Sequence, residues 1–282
     1  MKRLIIVGAG QCGQMASNLL NKGKYQLIAF ADNNADYHGT MSDGIPVMSV
    51  EQALKLEPDC VLIAVFNRDS SESIKRQLFS AGFRGKCIEI NQLRDAIDIR
   101  GATLQEIAQE IENRDVPGAI AELGVYRGEF AAELNRLFPE RHLYLFDTFE
   151  GFDERDIIVE SSRNYSHAKK NDFSDTDVKS VVACLPYPKL VTFRKGYFPE
   201  TARDLTVQYA LVSLDADLFQ PTLEGLRYFY PRLNRGGVIL LHDYNNIQFN
   251  GVGEAARKFC REQGIYPVPL CDLHGSTVIT KG

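Results

Sequence analysis

Residues 119–131 read AIAELGVYRGEFA and residues 142–152 read HLYLFDTFEGF, and these two stretches decide the fold. The first opens as an apolar strand, Ala119 to Leu123, turns at Gly124-Val125-Tyr126-Arg127-Gly128, and continues from Glu129 to Leu137 with helical spacing. The second is an apolar run, His142 to Phe146, that stops at Asp147. Strand, glycine turn, helix and a second strand ending in an acid make a parallel α/β unit, whose ligand sits beyond the carboxyl ends of the strands. Asp147 follows the glycines by about 20 residues, where a carboxylate can accept hydrogen bonds from ribose hydroxyls. Glu122 lies within the end of the first strand, and Thr148 and Phe149 follow the acid, with Phe149 and Phe152 as aromatic walls.

Toward the C-terminus, Tyr209 to Leu214 is a β-rich apolar run ending in Asp215-Ala216-Asp217, and Gly237 to Leu241 is another ending in His242-Asp243. Both acidic groups sit at strand carboxyl ends, the face on which the glycine turn also lies. Asp215, His242 and Asp243 brought together could hold a hard divalent ion such as Mg2+, which would lower the pKa of a bound hydroxyl. A neutral His242 acting as general base is the metal-free alternative, with Asp215 as the other catalytic candidate. Asp217 also suits a hydrogen bond to backbone at the start of the next helix. Tyr228, Phe229 and Tyr230 read as core and rim aromatics, and residues 167–172 as a solvated loop in a position where a substrate lid would also sit.

Toward the N-terminus the same grammar recurs. Arg3 to Val7 leads into Gly8-Ala9-Gly10-Gln11-Cys12-Gly13, a helix through Met15, Leu19 and Leu20 follows, and Gln26 to Ala31 ends at Asp32. Gly8, Gly10, Gly13 and Asp32 have the spacing of a site for NAD or another nucleotide, and the glycines alone would also serve chain geometry. Cys60 to Phe66 reads as a buried strand, Ser71 to Ala81 as a helix, and Cys87 to Ile90 as another strand. Ile99 to Asn113 is a helix ended by Pro117-Gly118. The expected organisation is therefore a Rossmann-like nucleotide-binding domain over 1–97, a connector helix over 98–118 and a second α/β domain over 119–282.

The 282 residues carry a net charge of −5, with 44% hydrophobic and 24% charged residues. That composition supports packed cores and gives no basic field for nucleic acid. No apolar run approaches the roughly 20 residues of a membrane span and no secretory leader stands at the start, so a cytoplasmic location is expected. Six scattered cysteines without a C-x-x-C pair fit reduced thiols. A small-molecule or carbohydrate acceptor is the natural partner, and homo-oligomerisation is left open.

AELGVYRGEFA at 121–131 and LYLFDTFEGF at 143–152 together resemble the macrocin O-methyltransferase family. RKGYFPETA at 194–202, LVSLDADLFQPTLEGLRYFYPRLNRGGVILLHDYN at 211–245 and GVGEAARKFC at 251–260 keep that family's order. The resemblance implies two doubly wound Rossmann-like α/β domains, the second a class I methyltransferase fold that takes S-adenosylmethionine. It also implies methyl transfer to a hydroxyl of a sugar, nucleotide sugar or polysaccharide precursor. The donor would meet Glu122, Gly124, Tyr126, Arg127, Gly128, Asp147, Thr148 and Phe149. In the family the first aspartate of the DxD segment and a later acidic pair are associated with metal, and here that pair is His242-Asp243. GAGQCGQ, AFADNN, GIPVMSVEQAL and DCVLIAV resemble the Rossmann-like N-terminal domains of bacterial sugar acetyltransferases. Two other functions fit less of the chain: a nucleotide-responsive regulatory protein with an inactive methyltransferase fold, and an NAD-dependent oxidoreductase using Gly8, Gly10, Gly13 and Asp32. The oxidoreductase reading is weakened by the expected absence of a Y-x-x-x-K pair or another clear hydride-transfer constellation after the N-terminal motif.

Overall fold

The structure is a computed structural model that describes all 282 residues. The chain divides into two compact units, Met1–Ile99 and Arg100–Gly282. In the first, β1 (Lys2–Val7), α1 (Gln11–Leu19), β2 (Tyr25–Ala31), β3 (Met41–Ser42) and β4 (Ile45–Met48) come first. They are followed by α2 (Val50–Leu54), β5 (Cys60–Ile63), α3 (Arg68–Ser80), β6 (Lys86–Glu89) and α4 (Ile90–Ala96). The sheet order is β3-β4-β2-β1-β5-β6, parallel except for the β3–β4 hairpin. Its core is built on Ile5, Val7, Ala29, Val61 and Ile63 under Val50, Ile74 and Leu78.

Two differences from expectation have local causes. The strand from Cys60 ends at Ile63 and the next helix begins at Arg68, because the Asn67 side chain accepts from Ser70 N at 2.8 Å and caps the helix there. The short α4, directly after β6, carries Ile90 into the interior and was not foreseen.

The second unit holds α5 (Ile99–Asn113, all but its first residue), β7 (Ala119–Leu123), α6 (Glu129–Leu137), β8 (Leu143–Asp147), α7 (Glu154–Arg163) and α8 (Val178–Cys184). Then come β9 (Val191–Lys195), β10 (Tyr209–Leu214), α9 (Phe219–Phe229), β11 (Leu233–Leu241), α10 (Asn250–Gln263), β12 (Val268–Pro269) and β13 (Thr277–Thr280). The order is β12-β13-β11-β10-β7-β8-β9. Strands from β9 to β11 are parallel, whereas β13 runs antiparallel to β11 and β12 antiparallel to β13.

Strand alternation sorts the side chains onto two faces. Ala121, Leu123, Phe146, Val212, Leu214, Ile239 and Leu241 pack with Leu223, Leu226, Phe229, Val252 and Phe259 of α9 and α10. Ile120, Leu143, Leu145, Leu211 and Val238 face the other way, against Leu104, Ala108 and Ile111 of α5, Ala131 and Leu134 of α6, and Val181 of α8. Each fully buried leucine or phenylalanine contributes roughly 1.5–3 kcal/mol. The helix expected as a connector therefore packs as a layer of the second unit, because its i, i+4, i+7 apolar stripe has a sheet face to cover. Tyr228, Phe229 and Tyr230 lie in an aromatic cluster with Phe198, Tyr209 and Phe259, as their sequence suggested.

Candidate active site

The chain reverses its direction of progress across the sheet between β7 and β10, so the segments that follow these two strands diverge and leave a crevice. The glycine turn after β7 lies there. Gly124 has φ +86°, and a Cβ on it would stand 1.9 Å from the Asp215 carbonyl oxygen, so only glycine lets the two strand ends meet. The turn is held from β8. Asp147 Oδ2 accepts from Val125 N at 2.7 Å and Tyr126 N at 3.0 Å, and its Oδ1 accepts from Phe149 N at 2.7 Å. A carboxylate has about four acceptor positions, so roughly one remains for a ribose hydroxyl, fewer than the paired acceptance expected from sequence.

The other expected donor residues divide. Tyr126 takes a left-handed backbone, its hydroxyl donates to Asp175 at 2.8 Å, and Arg127 pairs with the same carboxylate. Gly128 is the left-handed residue before α6 and packs against Val181. The Thr148 hydroxyl donates to Gly151 O at 2.6 Å. Phe149 has a left-handed backbone, and its ring is buried near Phe193. Residues 167–172 are largely exposed, yet the Lys170 and Asp172 carbonyls lie against Gly151.

Glu122 is 1% exposed and points to the α5 face, where Ser213 Oγ of β10 donates to Oε1 at 3.3 Å and Oε2 has no partner. Burial pushes this carboxyl well above the usual range, against the pull of Arg100.

One strand away stands the charged centre. Asp215 and His242 follow β10 and β11, and Asp243 takes a left-handed backbone beside them. His242 Nδ1 lies 3.0 Å from Asp215 Oδ1 and 3.1 Å from Asp243 Oδ2, with the three groups' donor atoms within 4.8 Å of one another. Nδ1 is buried and aimed between the two oxygens, so neither contact has the alignment of a hydrogen bond. Arg100 Nη2 of α5 reaches the other oxygen, Asp215 Oδ2, at 3.1 Å, and its guanidinium rests 4.0 Å from the Phe130 ring centre.

Burial alone would lower the imidazole's pKa, but Asp215, with Asp243, outweighs it and raises it to about 10. Burial likewise opposes ionisation of Asp215, and His242 and Arg100 overcome it, holding the carboxyl well below its usual range. The two carboxylates beside it therefore favour the protonated imidazole. Asp217 is raised by burial and then by Asp215 and Asp243. It does not cap α9: Phe219 N donates instead to Glu160 Oε1 of α7, at 2.7 Å.

Residues 51–280 match the family described as Macrocin-O-methyltransferase (TylF). The chain belongs to that family. It is an S-adenosylmethionine-dependent methyltransferase with a class I fold in its second unit. Among its relatives, an O-methyltransferase of Streptomyces olivaceus is 27% identical over 189 residues, covering 62% of this chain and 70% of the relative. That protein is the 8-demethyl-8-(2,3-dimethoxy-alpha-L-rhamnosyl)-tetracenomycin-C 4'-O-methyltransferase. The mycinamicin III 3''-O-methyltransferase of Micromonospora griseorubida is 26% identical over 154 residues, 50% of this chain and 61% of the relative. Of solved structures, the calicheamicin methyltransferase CalS11 aligns at TM-score 0.55 and 20% identity, over 77% of this chain and 88% of its own. The O-methyltransferase NovP aligns at 0.53 and 19%, over 64% and 79%; both likenesses speak to fold.

Residues 1–89 match the description C2185-like, N-terminal, which takes the place of the sugar-acetyltransferase comparison for the first unit. There Asp32 Oδ2 accepts from Ala9 N at 2.7 Å and Oδ1 from Asn34 N at 2.8 Å, so the strand-end acid again holds the glycine turn. A Cβ on Gly13 would sit 1.9 Å from the Gly8 carbonyl oxygen, which is helix-to-strand packing, whereas one on Gly10 would meet nothing within 4 Å. Tyr165 and Lys169 have the spacing of a dehydrogenase pair, but both lie beyond the end of α7 and Tyr165 stacks on Phe219.

Sequence reasoning missed Arg100, because an arginine in the first turn of an amphipathic helix carries no local mark of function. It also missed Asp156 of α7, which accepts from the Tyr197 hydroxyl at 2.9 Å and whose pKa burial raises to about 6. No helix is long and apolar enough to cross a membrane.

Proposed function

We propose that the second unit moves the methyl group of S-adenosylmethionine to a hydroxyl of a sugar, on a nucleotide sugar, a polysaccharide precursor or a glycosylated small molecule. The observation that carries this reading is the adjacency of Gly124 and Asp215: the donor turn and the charged centre share one crevice with no side chain between their backbones. The orphaned Glu122 Oε2 supports it, since a buried carboxyl without a partner suits the ammonium at the amino-acid end of the donor. Asp147 keeps capacity for one ribose hydroxyl while fixing the turn. The relatives whose names specify a sugar position, 4'-O on a rhamnosyl unit and 3''-O on mycinamicin III, support a sugar acceptor.

Methyl transfer to oxygen is an in-line displacement: the hydroxyl oxygen bonds to the methyl carbon as the carbon–sulfur bond breaks, leaving S-adenosylhomocysteine. Asp215 accepts the hydrogen bond that orients the hydroxyl and takes its proton as the new bond forms. A carboxylate held strongly ionised is a weak base, yet the methylated oxonium is a far stronger acid, so the proton leaves downhill. His242 and Arg100 keep Asp215 charged and fixed. The residues present also fit a divalent ion, because the buried, unaligned Nδ1 of His242 faces two carboxylate oxygens. Asp215, His242 and Asp243 would hold that ion, which when bound would lower the pKa of the acceptor hydroxyl.

For the first unit we propose a nucleotide ligand. Open space at Gly10 leaves the start of α1 approachable, and Asp32 keeps two acceptor positions for a ribose.

The test is calorimetric titration with S-adenosylhomocysteine, followed by mass spectrometry of nucleotide sugars incubated with labelled S-adenosylmethionine. Binding of the first and a gain of one methyl on a sugar hydroxyl is the expected result. Absence of S-adenosylhomocysteine binding would sink the reading.

A further inference from the structure

We infer that His242 makes the Asp215–His242–Asp243 centre selective for a first-row transition-metal ion, Co2+ and to a lesser degree Mn2+, over Mg2+. The inference rests on the reading of this centre as the acceptor site. Its first support is Nδ1 of His242: it is buried, it faces two carboxylate oxygens at 3.0 and 3.1 Å, and it lines up with neither. No aligned hydrogen bond occupies that nitrogen, which leaves the space between the two oxygens open to a third group. Neighbouring ligands at right angles around an ion with bonds of about 2.1 Å lie about 3.0 Å apart, which is the spacing found on both sides of Nδ1.

The second support is the donor set. Mg2+ is a hard ion that takes oxygen ligands and holds its waters, whereas imidazole nitrogen favours the later divalent ions. Two carboxylates and one imidazole also give one negative charge fewer than three carboxylates would. Arg100 lowers the local negative charge further. Purely electrostatic attraction, on which Mg2+ depends, is thereby weakened while the nitrogen donor's contribution to Mn2+ or Co2+ is kept. Arg100 has a geometric role as well. By bonding Asp215 Oδ2 while lying over Phe130 it leaves one oxygen, Oδ1, for an ion and sets its direction, as groups that bond a ligand's far side do.

The full chain, freed of ions with chelator, is titrated with Mn2+ and followed by the loss of the free-ion electron paramagnetic resonance signal, then back-titrated with Mg2+. Wild type is expected to capture Mn2+, to show nitrogen hyperfine coupling from the imidazole in pulsed spectra, and to release it only to a large excess of Mg2+. In His242→Asp that excess should fall by about tenfold or more. Captured Mn2+ without nitrogen coupling in wild type overturns the inference without recourse to a variant. So does a Mg2+/Mn2+ ratio unchanged in a His242→Asp protein that still binds S-adenosylhomocysteine as wild type does. Wild type that binds S-adenosylhomocysteine but leaves Mn2+ free overturns the inference and leaves the methyltransferase reading standing, whereas loss of S-adenosylhomocysteine binding counts against that reading instead.

Discussion

The two units use one backbone device for two different ends. In each, a strand runs into a glycine turn, and an aspartate closing the next strand bonds the N–H groups of that turn: Asp32 to Ala9, Asp147 to Val125 and Tyr126. Across the reversal point they part. Beside Gly8 the neighbouring strand β5 runs out into Ala64 and Val65, an apolar edge. Beside Gly124 the neighbouring strand β10 ends in Asp215, with His242, Asp243 and Arg100 around it. The scaffold therefore sets where a ligand can lie, and the residues at the adjoining strand end set whether chemistry follows.

The sharpest way to break this comparison is to remove the charged centre. Asp215→Asn keeps the shape of the side chain and loses the charge that Arg100 and His242 face. Turnover should fall about 100-fold or more while S-adenosylhomocysteine affinity changes less than about threefold, because the lost carboxylate acts on the acceptor hydroxyl. Steady-state kinetics with calorimetry on the same preparation checks both. Equal loss in both quantities would place Asp215 in donor binding and erase the distinction drawn between turn and centre.

A smaller effect probes the shared device. Asp147→Ala removes two backbone hydrogen bonds from the turn, a third from Phe149 N and the proposed ribose acceptor, so S-adenosylhomocysteine affinity should drop roughly 10- to 100-fold. The equivalent change in the first unit, Asp32→Ala, should leave that affinity within about twofold. Titration of both variants decides it, and a large loss in Asp32→Ala would contradict the separation of the two sites.

Much of this was legible in the sequence. The strands Ala119–Leu123 and Tyr209–Leu214 and the helices Ile99–Asn113 and Glu129–Leu137 lie where periodicity put them, because apolar runs bounded by glycine or acids leave little freedom in register. Asp215, His242 and Asp243 converge because parallel strands end at one edge. What local pattern could not carry was partnership across the fold. Glu122 meets Ser213 from the neighbouring strand and keeps one oxygen unpartnered, Phe149 packs in the core near Phe193, and Arg100 reaches Asp215 only because α5 packs on the sheet.

The smallest expected effect compares a buried acid from each unit. Glu89 in the first unit is 6% exposed and bonded by Lys75 Nζ at 2.7 Å as well as by Ser71 and Gln92. Asp156 in the second is 4% exposed, has the Tyr197 hydroxyl on it and no salt bridge. Burial lifts the Asp156 pKa from 3.8 to about 6, so between those values the folded chain holds more protons than the unfolded one. Stability from this group is then fully present below pH 3.8 and is lost as pH rises through 6, at a cost of about 2–3 kcal/mol by pH 7. Asp156→Asn keeps an acceptor for Tyr197 and carries no charge. It should melt several degrees higher than wild type at pH 7.5, and the difference should vanish by about pH 4. Glu89→Gln should do the reverse at neutral pH, since it strips the charged partner from Lys75 Nζ. Melting curves of the three proteins across this range measure the contrast directly, and an Asp156→Asn protein no more stable than wild type at pH 7.5 would show that this carboxylate is not paying for its burial.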